Sequence, residues 1–160
     1  MVESGGRRIK RHITINTNSI KPCKPELITR LLQLSLLKNR LDQYMLDKQN
    51  YHIDPDVVSL LTSDKRCLSN LTLYRLYVEA YLSKHPGLNS NMTFIIRELQ
   101  NVNYGIPVEI YVFASTTDWV KYEAIQASVF DYLYLILPLF ELEAYQYESE
   151  TLTGFETGAA

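Results

Sequence analysis

The spacing of hydrophobic and polar positions changes period several times along the chain, and each change marks an element. In RRIKRHITIN, Ile9, Ile13 and Ile15 share one parity with Arg11, against Lys10, His12, Thr14 and Asn16, which predicts a strand from about 9 to 16. TNSIKPCKP is a run of turn formers ending at Pro25, a residue suited to a first helical turn. From Glu26 to about Asn50, Leu27, Leu31, Leu34, Leu41 and Met45 recur at three-and-four spacing, with Lys38 in the one missing step. One amphipathic helix packed on its own domain is the reading; the charged interruption and short length disfavour a coiled-coil seam.

YHIDPDVVSLLTSDKRCLSN carries turn residues at Asp54 and Pro55 and a short apolar patch at 57–61, so the stretch from about 42 to 69 reads as a surface insertion with one short helix. Asn70 suits the N-cap of LTLYRLYVEAYLSKH, in which Tyr74, Tyr77, Val78, Tyr81 and Leu82 share a face and His85-Pro86-Gly87 ends the helix. NMTFIIREL (91–99) and PVEIYVFAS (107–115) are rich in β-branched and aromatic residues and are joined by a loop holding Gly105, the signature of an antiparallel hairpin. Thr117 or Asp118 then caps a helix whose Tyr122, Ile125, Val129, Leu133 and Ile136 recur at helical spacing until Pro138 stops it. From Phe140 the alternation ELEAYQYE predicts a final strand, and the aperiodic 149–160 a flexible tail.

This order predicts an α+β fold of ferredoxin-like split β-α-β-β-α-β type. Its four-stranded antiparallel sheet would carry helices on one face and a helical insertion between the first and second strands. The α/β domain would span 9–148.

Composition narrows the function more than the fold. With 160 residues, 46% hydrophobic and 21% charged, the chain suffices for one ordered domain. A net charge of -2 and a pI near 5.9 argue against a chain-wide nucleic-acid footprint, and no nucleic-acid partner is expected. The charge is uneven: Arg7, Arg8, Lys10 and Arg11 crowd the start, whereas five glutamates and no base follow Pro138. A strand sends those cations to alternate faces, and no aromatic stacking platform accompanies them in the sequence. Cys23 and Cys67 lie far apart without further ligands at metal spacing, which reads as reduced structural thiols. The longest apolar run, 132–140, falls short of the ~20 residues a spanning helix needs, and HITINTNSIK lacks the apolar core of a signal peptide.

Candidate chemistry is sparse. His12, His52 and His85 are not at ligand spacing, and the glycines of SGG at 4–6 precede a strand where a phosphate loop needs a helix. Asp118, Glu123 and Asp131 fit a solvated helix face, with Asp118 as a cap. No catalytic, cofactor-binding or metal-binding residue is expected, and no cofactor. The glycosylation patterns at Asn70 and Asn91 are set aside because the cysteine usage fits a reducing compartment. Twelve tyrosines exceed what a small sheet-helix core needs, a compositional pointer to self-association.

ESGGRRIKR, LYRLYVEAYLSKHPGL, MTFIIRELQ and above all GIPVEIYVFASTTDWVKYEAIQASVFDYL resemble the carboxy-terminal cytoplasmic part of bacterial small-conductance mechanosensitive channels, the MscS family. The nearest likeness is to the YbdG-like branch, with its enlarged cytoplasmic insertion, and it spans roughly Glu3 to Tyr147. The resemblance implies that membrane helices and a small β domain of the same chain precede this part, with 1–8 as the exit from that β domain. It implies a homo-oligomeric ring, a heptamer in the full-length channel, and a hollow vestibule through which ions and small solutes leave on membrane tension in hypoosmotic shock. It also places the full-length protein in the bacterial inner membrane and this part on its cytoplasmic side. The implied role is non-enzymatic. A free-standing ferredoxin-like regulatory module that binds a small ligand at a subunit interface is the alternative. An acylphosphatase-type enzyme would need a phosphate-binding loop after the first strand, where TNSIKPCKP offers neither arginine nor glycine.

Overall fold

The computed structural model describes residues 2, 3, 5–47, 53–103 and 105–145. The predicted tail at 149–160, the end of the predicted final strand and His52 lie outside the described residues.

The fold is α+β and antiparallel. Strand β2 (Gly6–Ile15) runs against β4 (Ile106–Ala114) over nine register pairs, from Arg7 opposite Ala114 to Ile15 opposite Ile106. Strand β3 (Ile95–Glu98) lines the other edge of β4, and the two-residue β1 (Val2–Glu3) folds back on the start of β2. The sheet order is therefore β1-β2-β4-β3, and its fourth member comes from the amino-terminal end. Five helices complete the described chain: α1 (Pro25–Leu31), α2 (Ser35–Asp47), α3 (Pro55–Leu61), α4 (Asn70–Ser83) and α5 (Trp119–Leu135).

Strand alternation fixes which face is covered. Ile9, Ile13 and Ile15 on β2, Ile96 on β3, and Val108, Ile110 and Val112 on β4 are buried together with the inner faces of α4 and α5. Tyr122 and Phe130 of α5 reach the same side of β2, and Arg75 of α4 reaches Glu98 there. The α5 residues expected to face inward, Tyr122, Ile125, Val129, Leu133 and Ile136, all belong to or pack on this core.

The long helix predicted from Glu26 to Asn50 is two helices, and Lys38 gives the reason. One continuous helix would carry Lys38 into the buried stripe and turn Leu37 outward. The turn at 32–34 resets the phase, so that Leu37 and Leu41 are buried and Lys38 is exposed. Strand β3 is shorter than the predicted 91–99 because Asn89 takes over the preceding backbone. Its N–H donates to the Phe113 carbonyl at 2.9 Å, and its Oδ1 accepts from Asn91 N at 3.0 Å, a local turn that competes with the ladder. At the other end β2 starts at Gly6, earlier than predicted, because the missing side chain admits the Ala114 carbonyl oxygen 2.1 Å from where a Cβ would lie.

The predicted final strand is not regular where it is described. Leu137–Phe140 forms a 3-10 turn around Pro138, and Glu141 takes a left-handed conformation at φ 56. The chain then touches the free edge of β2: Ala144 bridges Ile15 antiparallel, Asn16 N donates to the Glu143 carbonyl at 2.8 Å, and Tyr145 N to the Thr14 carbonyl at 2.9 Å.

Candidate functional site

The residues weighed for chemistry have structural partners. His85 Nδ1 accepts from Gly87 N at 2.9 Å and its ring meets Tyr81 edge-on, which makes it part of the α4 stop; burial pushes its pKa down. Burial pushes the Cys23 thiol up to about 11, with Glu141 and Asp64 adding to the rise, so the thiolate is disfavoured at neutral pH. Asp118 is the residue before α5, yet its side chain makes no capping bond; its N–H instead donates to Thr116 Oγ1 at 3.1 Å. Glu123 and Asp131 are exposed on α5. Among the described residues, no three His, Cys, Asp or Glu side chains gather as a metal site.

Asn70 overturns its sequence reading. Ser69 is the N-cap, its Oγ accepting from Thr72 N at 3.1 Å, while Asn70 is the first helical residue and fully buried. Its Oδ1 accepts from Lys21 N at 2.9 Å, and its Nδ2 faces the carbonyls of Ser19 (2.9 Å), Phe140 (3.1 Å) and Glu141 (3.3 Å). One amide therefore ties the connector after β2 to α4 and to the turn after α5. Nothing in a single sequence separates this hub from an ordinary cap, since both put asparagine at a helix start.

The tyrosine excess resolves into a seam. Tyr81 stacks on Tyr132 at 4.4 Å between ring centroids, and the hydroxyls of Tyr77 and Tyr132 share a hydrogen bond of 2.6 Å. Tyr74 meets Phe140 edge-on at 5.4 Å and donates to the Leu133 carbonyl at 2.8 Å. These contacts fasten α4 to α5 and use aromatic rings with a polar tip where both burial and a hydrogen bond are needed.

The basic strand does meet aromatics, contrary to the sequence expectation, because they come from elements far along the chain. The Arg7 guanidinium lies 4.6 Å from the Trp119 ring centroid, and its Nε donates to the Thr117 carbonyl at 3.0 Å. Arg11 lies 4.4 Å from the Phe130 centroid, and Tyr122 OH donates to the Arg8 carbonyl at 2.6 Å. Arg7 and Arg11 thus latch β2 to α5 on the helix-covered side. Arg8, Lys10 and His12 point to the opposite side, where Arg97 pairs with the buried Glu109 at 2.9 Å.

The last feature is α5 itself. The helical stretch Trp119–Phe140 is long and apolar enough to cross a bilayer by length and composition alone, and 28% of its apolar 18-residue window is buried. That exceeds the sequence expectation, which counted unbroken apolar runs and stopped at Asp131. Its inner side is committed to the core through Val129, Phe130 and Leu133, whereas Val120 and Leu135 on the outer side are 75% and 72% exposed. A comparison of the chain with protein-family models finds no match.

Proposed function

We propose that this chain is a passive wall domain of the cytoplasmic vestibule of an MscS-type mechanosensitive channel, working as a homo-oligomeric ring beneath a pore built by membrane helices of the same protein. Ions and small solutes pass it; no bond is made or broken on it. The observation that carries the reading is the β4–α5 unit, which holds the stretch of strongest resemblance. Its strand is central in the sheet, and its helix is latched to β2 and zipped to α4, so the unit is stiff. The proposal includes a ferredoxin-like arrangement. What supports that arrangement is the isolated Ala144–Ile15 bridge, which sets the end of the described chain beside β2, where a last strand of that fold would lie.

The reading frame upstream of Met1 tests this. Membrane helices encoded in frame are expected, and the whole product should rescue a channel-deficient bacterium from hypoosmotic shock. An in-frame stop codon directly upstream would overturn the proposal. The alternative of a ligand-binding regulatory module has one observation in its favour, a cleft of about 560 Å³ lined by Ile53, Pro55, Val58, Thr62 and Lys65 in the insertion. A metabolite that raises the melting temperature would favour that alternative.

A further inference from the structure

The insertion carries a helix that has no core of its own. In α3, PDVVSLL, four of seven side chains are aliphatic, yet none is buried. Neither they nor Ile53 belong to the hydrophobic core of the described residues or pack against it. Val57, Leu60 and Leu61 are exposed, whereas Ile53 and Val58 are half-buried and, with Pro55, form the apolar wall of the cleft. What fastens the end of the helix to the domain is polar: Thr62 Oγ1 donates to the Cys23 carbonyl at 3.1 Å. Aliphatic side chains on a surface helix ordinarily pack against their own domain. Here the inner ones face an open space of about 560 Å³, within the range of about 300–1,000 Å³ that small-molecule sites occupy.

The polar groups of the cleft select the kind of molecule. Two of its three hydroxyls are engaged: Ser59 Oγ donates to the Asp56 carbonyl at 2.9 Å, and Thr62 Oγ1 also accepts from Asp64 N at 3.2 Å. The Ser63 hydroxyl and the Lys65 ammonium have no such partner among the described residues. Lys65 is the one charged residue that lines the cleft among them, and it is exposed. The neighbouring carboxylate does not neutralise it, because Asp64 is held by both arms of the Arg66 guanidinium, at 3.0 and 2.8 Å. An ammonium has only protons to give, so the free polar end of the cleft is matched by an acceptor that carries negative charge.

We propose that this cleft binds a small amphiphile, a carboxylate on an unbranched apolar tail. The tail lies along Ile53, Pro55 and Val58, and the head meets the Lys65 ammonium and the Ser63 hydroxyl. An occupied cleft gives α3 the apolar contact that the domain itself does not provide. The site is lined by one chain and lies in the insertion, so the inference goes beyond both readings above: the wall reading assigns the insertion no ligand, and the regulatory alternative holds its ligand between subunits.

The test uses the whole chain and octanoate as the probe, followed by the backbone amide resonances of 53–65. These should shift saturably with a Kd between about 0.1 and 5 mM, the affinity of a ten-atom ligand in an open cleft. Octanol and octylamine, which keep the tail and change the head, should bind at least about tenfold more weakly. Lys65→Ala should weaken octanoate about tenfold and leave octanol unchanged, and Lys65→Glu should invert the order so that octylamine binds better than octanoate. Ser59→Trp, which fills the cleft from its exposed side, should abolish binding of all three. No saturable shift of 53–65 up to about 10 mM octanoate would overturn the site. Octanol binding as tightly as octanoate, or Lys65→Ala without effect, would overturn the role of the ammonium, and octyl phosphate binding tenfold tighter than octanoate would overturn the carboxylate head. Should a variant fail to fold by circular dichroism, the series of head groups on the wild type decides. The channel reading stands or falls separately, on the upstream frame.

Discussion

Replacing Asn70 distinguishes a structural hub from a helix cap more sharply than any other single change. Its carboxamide accepts one hydrogen bond from Lys21 N and has two N–H groups to share among the carbonyls of Ser19, Phe140 and Glu141, so about three bonds can form at once. At about 1 kcal/mol each, Asn70→Ala should lose roughly 3 kcal/mol, or about 6–12 °C in Tm for a chain of this size. Asn70→Asp separates the two readings by sign. At an exposed first helical position aspartate would gain from the helix dipole, by about 0.3–1 kcal/mol. In the hub it keeps the acceptor, loses the donor and sets a carboxylate against three carbonyl oxygens at zero exposure. Its folded pKa must then lie above the unfolded value of about 3.9, so the charge penalty is absent below that pH and grows as pH rises. Urea denaturation followed by far-UV circular dichroism at about pH 4 and 7 reads both effects. An Asn70→Ala loss under about 0.5 kcal/mol, or an Asn70→Asp variant more stable than wild type at neutral pH, would refute the hub.

The phase reset in the α1–α2 region predicts that Leu37→Ala costs about 2–5 kcal/mol while Lys38→Ala stays within about 0.5, measured by the same urea midpoint; equal effects would restore a single continuous helix. The Tyr77–Tyr132 hydroxyl pair should give a coupling energy of about 0.5–1.5 kcal/mol in a double-mutant cycle of the two phenylalanine variants, and strict additivity would remove it from the seam. Lys21 and, more weakly, Arg30 hold the Glu141 carboxyl below the usual carboxylate range. Its contribution is therefore present above the ordinary carboxylate pKa and fades as pH falls through the lowered one, so Glu141→Gln should flatten the acid side of the stability profile; an unchanged slope would count against the pairing.

What could be read from the sequence follows from where the causes lie. Local alternation and helical spacing are short-range signals, and they located β2, α4, β4 and α5 to within a few residues. Lys38 was visible as a defect in an otherwise regular stripe, but only burial shows that the backbone breaks to expel it. The final strand is irregular over its described residues because two local features compete with alternation: Pro138 favours a tight turn, and Glu141 adopts a left-handed conformation beside Lys21. The aromatic partners of Arg7 and Arg11 are more than a hundred residues away in sequence, and a reading that looks for stacking groups near the cations has no means of pairing them.

The same long-range contacts account for the polar aromatic residues in the interior. The proposed wall would have to resist deformation in the plane where neighbouring copies pull. In β2 such a pull would run along nine ladder pairs with β4, and that strand is also latched sideways to α5 by Arg7, Arg11 and the Tyr122 hydroxyl. Helix α5 is in turn bound to α4 through hydroxyl and ring contacts that fix rotation as well as distance, which a smooth aliphatic seam would leave free to slide. The outer face of α5 is therefore presented on a rigid mount. In the ring proposed above, a contact made there would forgo little conformational freedom, which is the condition under which a small, weak contact repeated around a ring can hold.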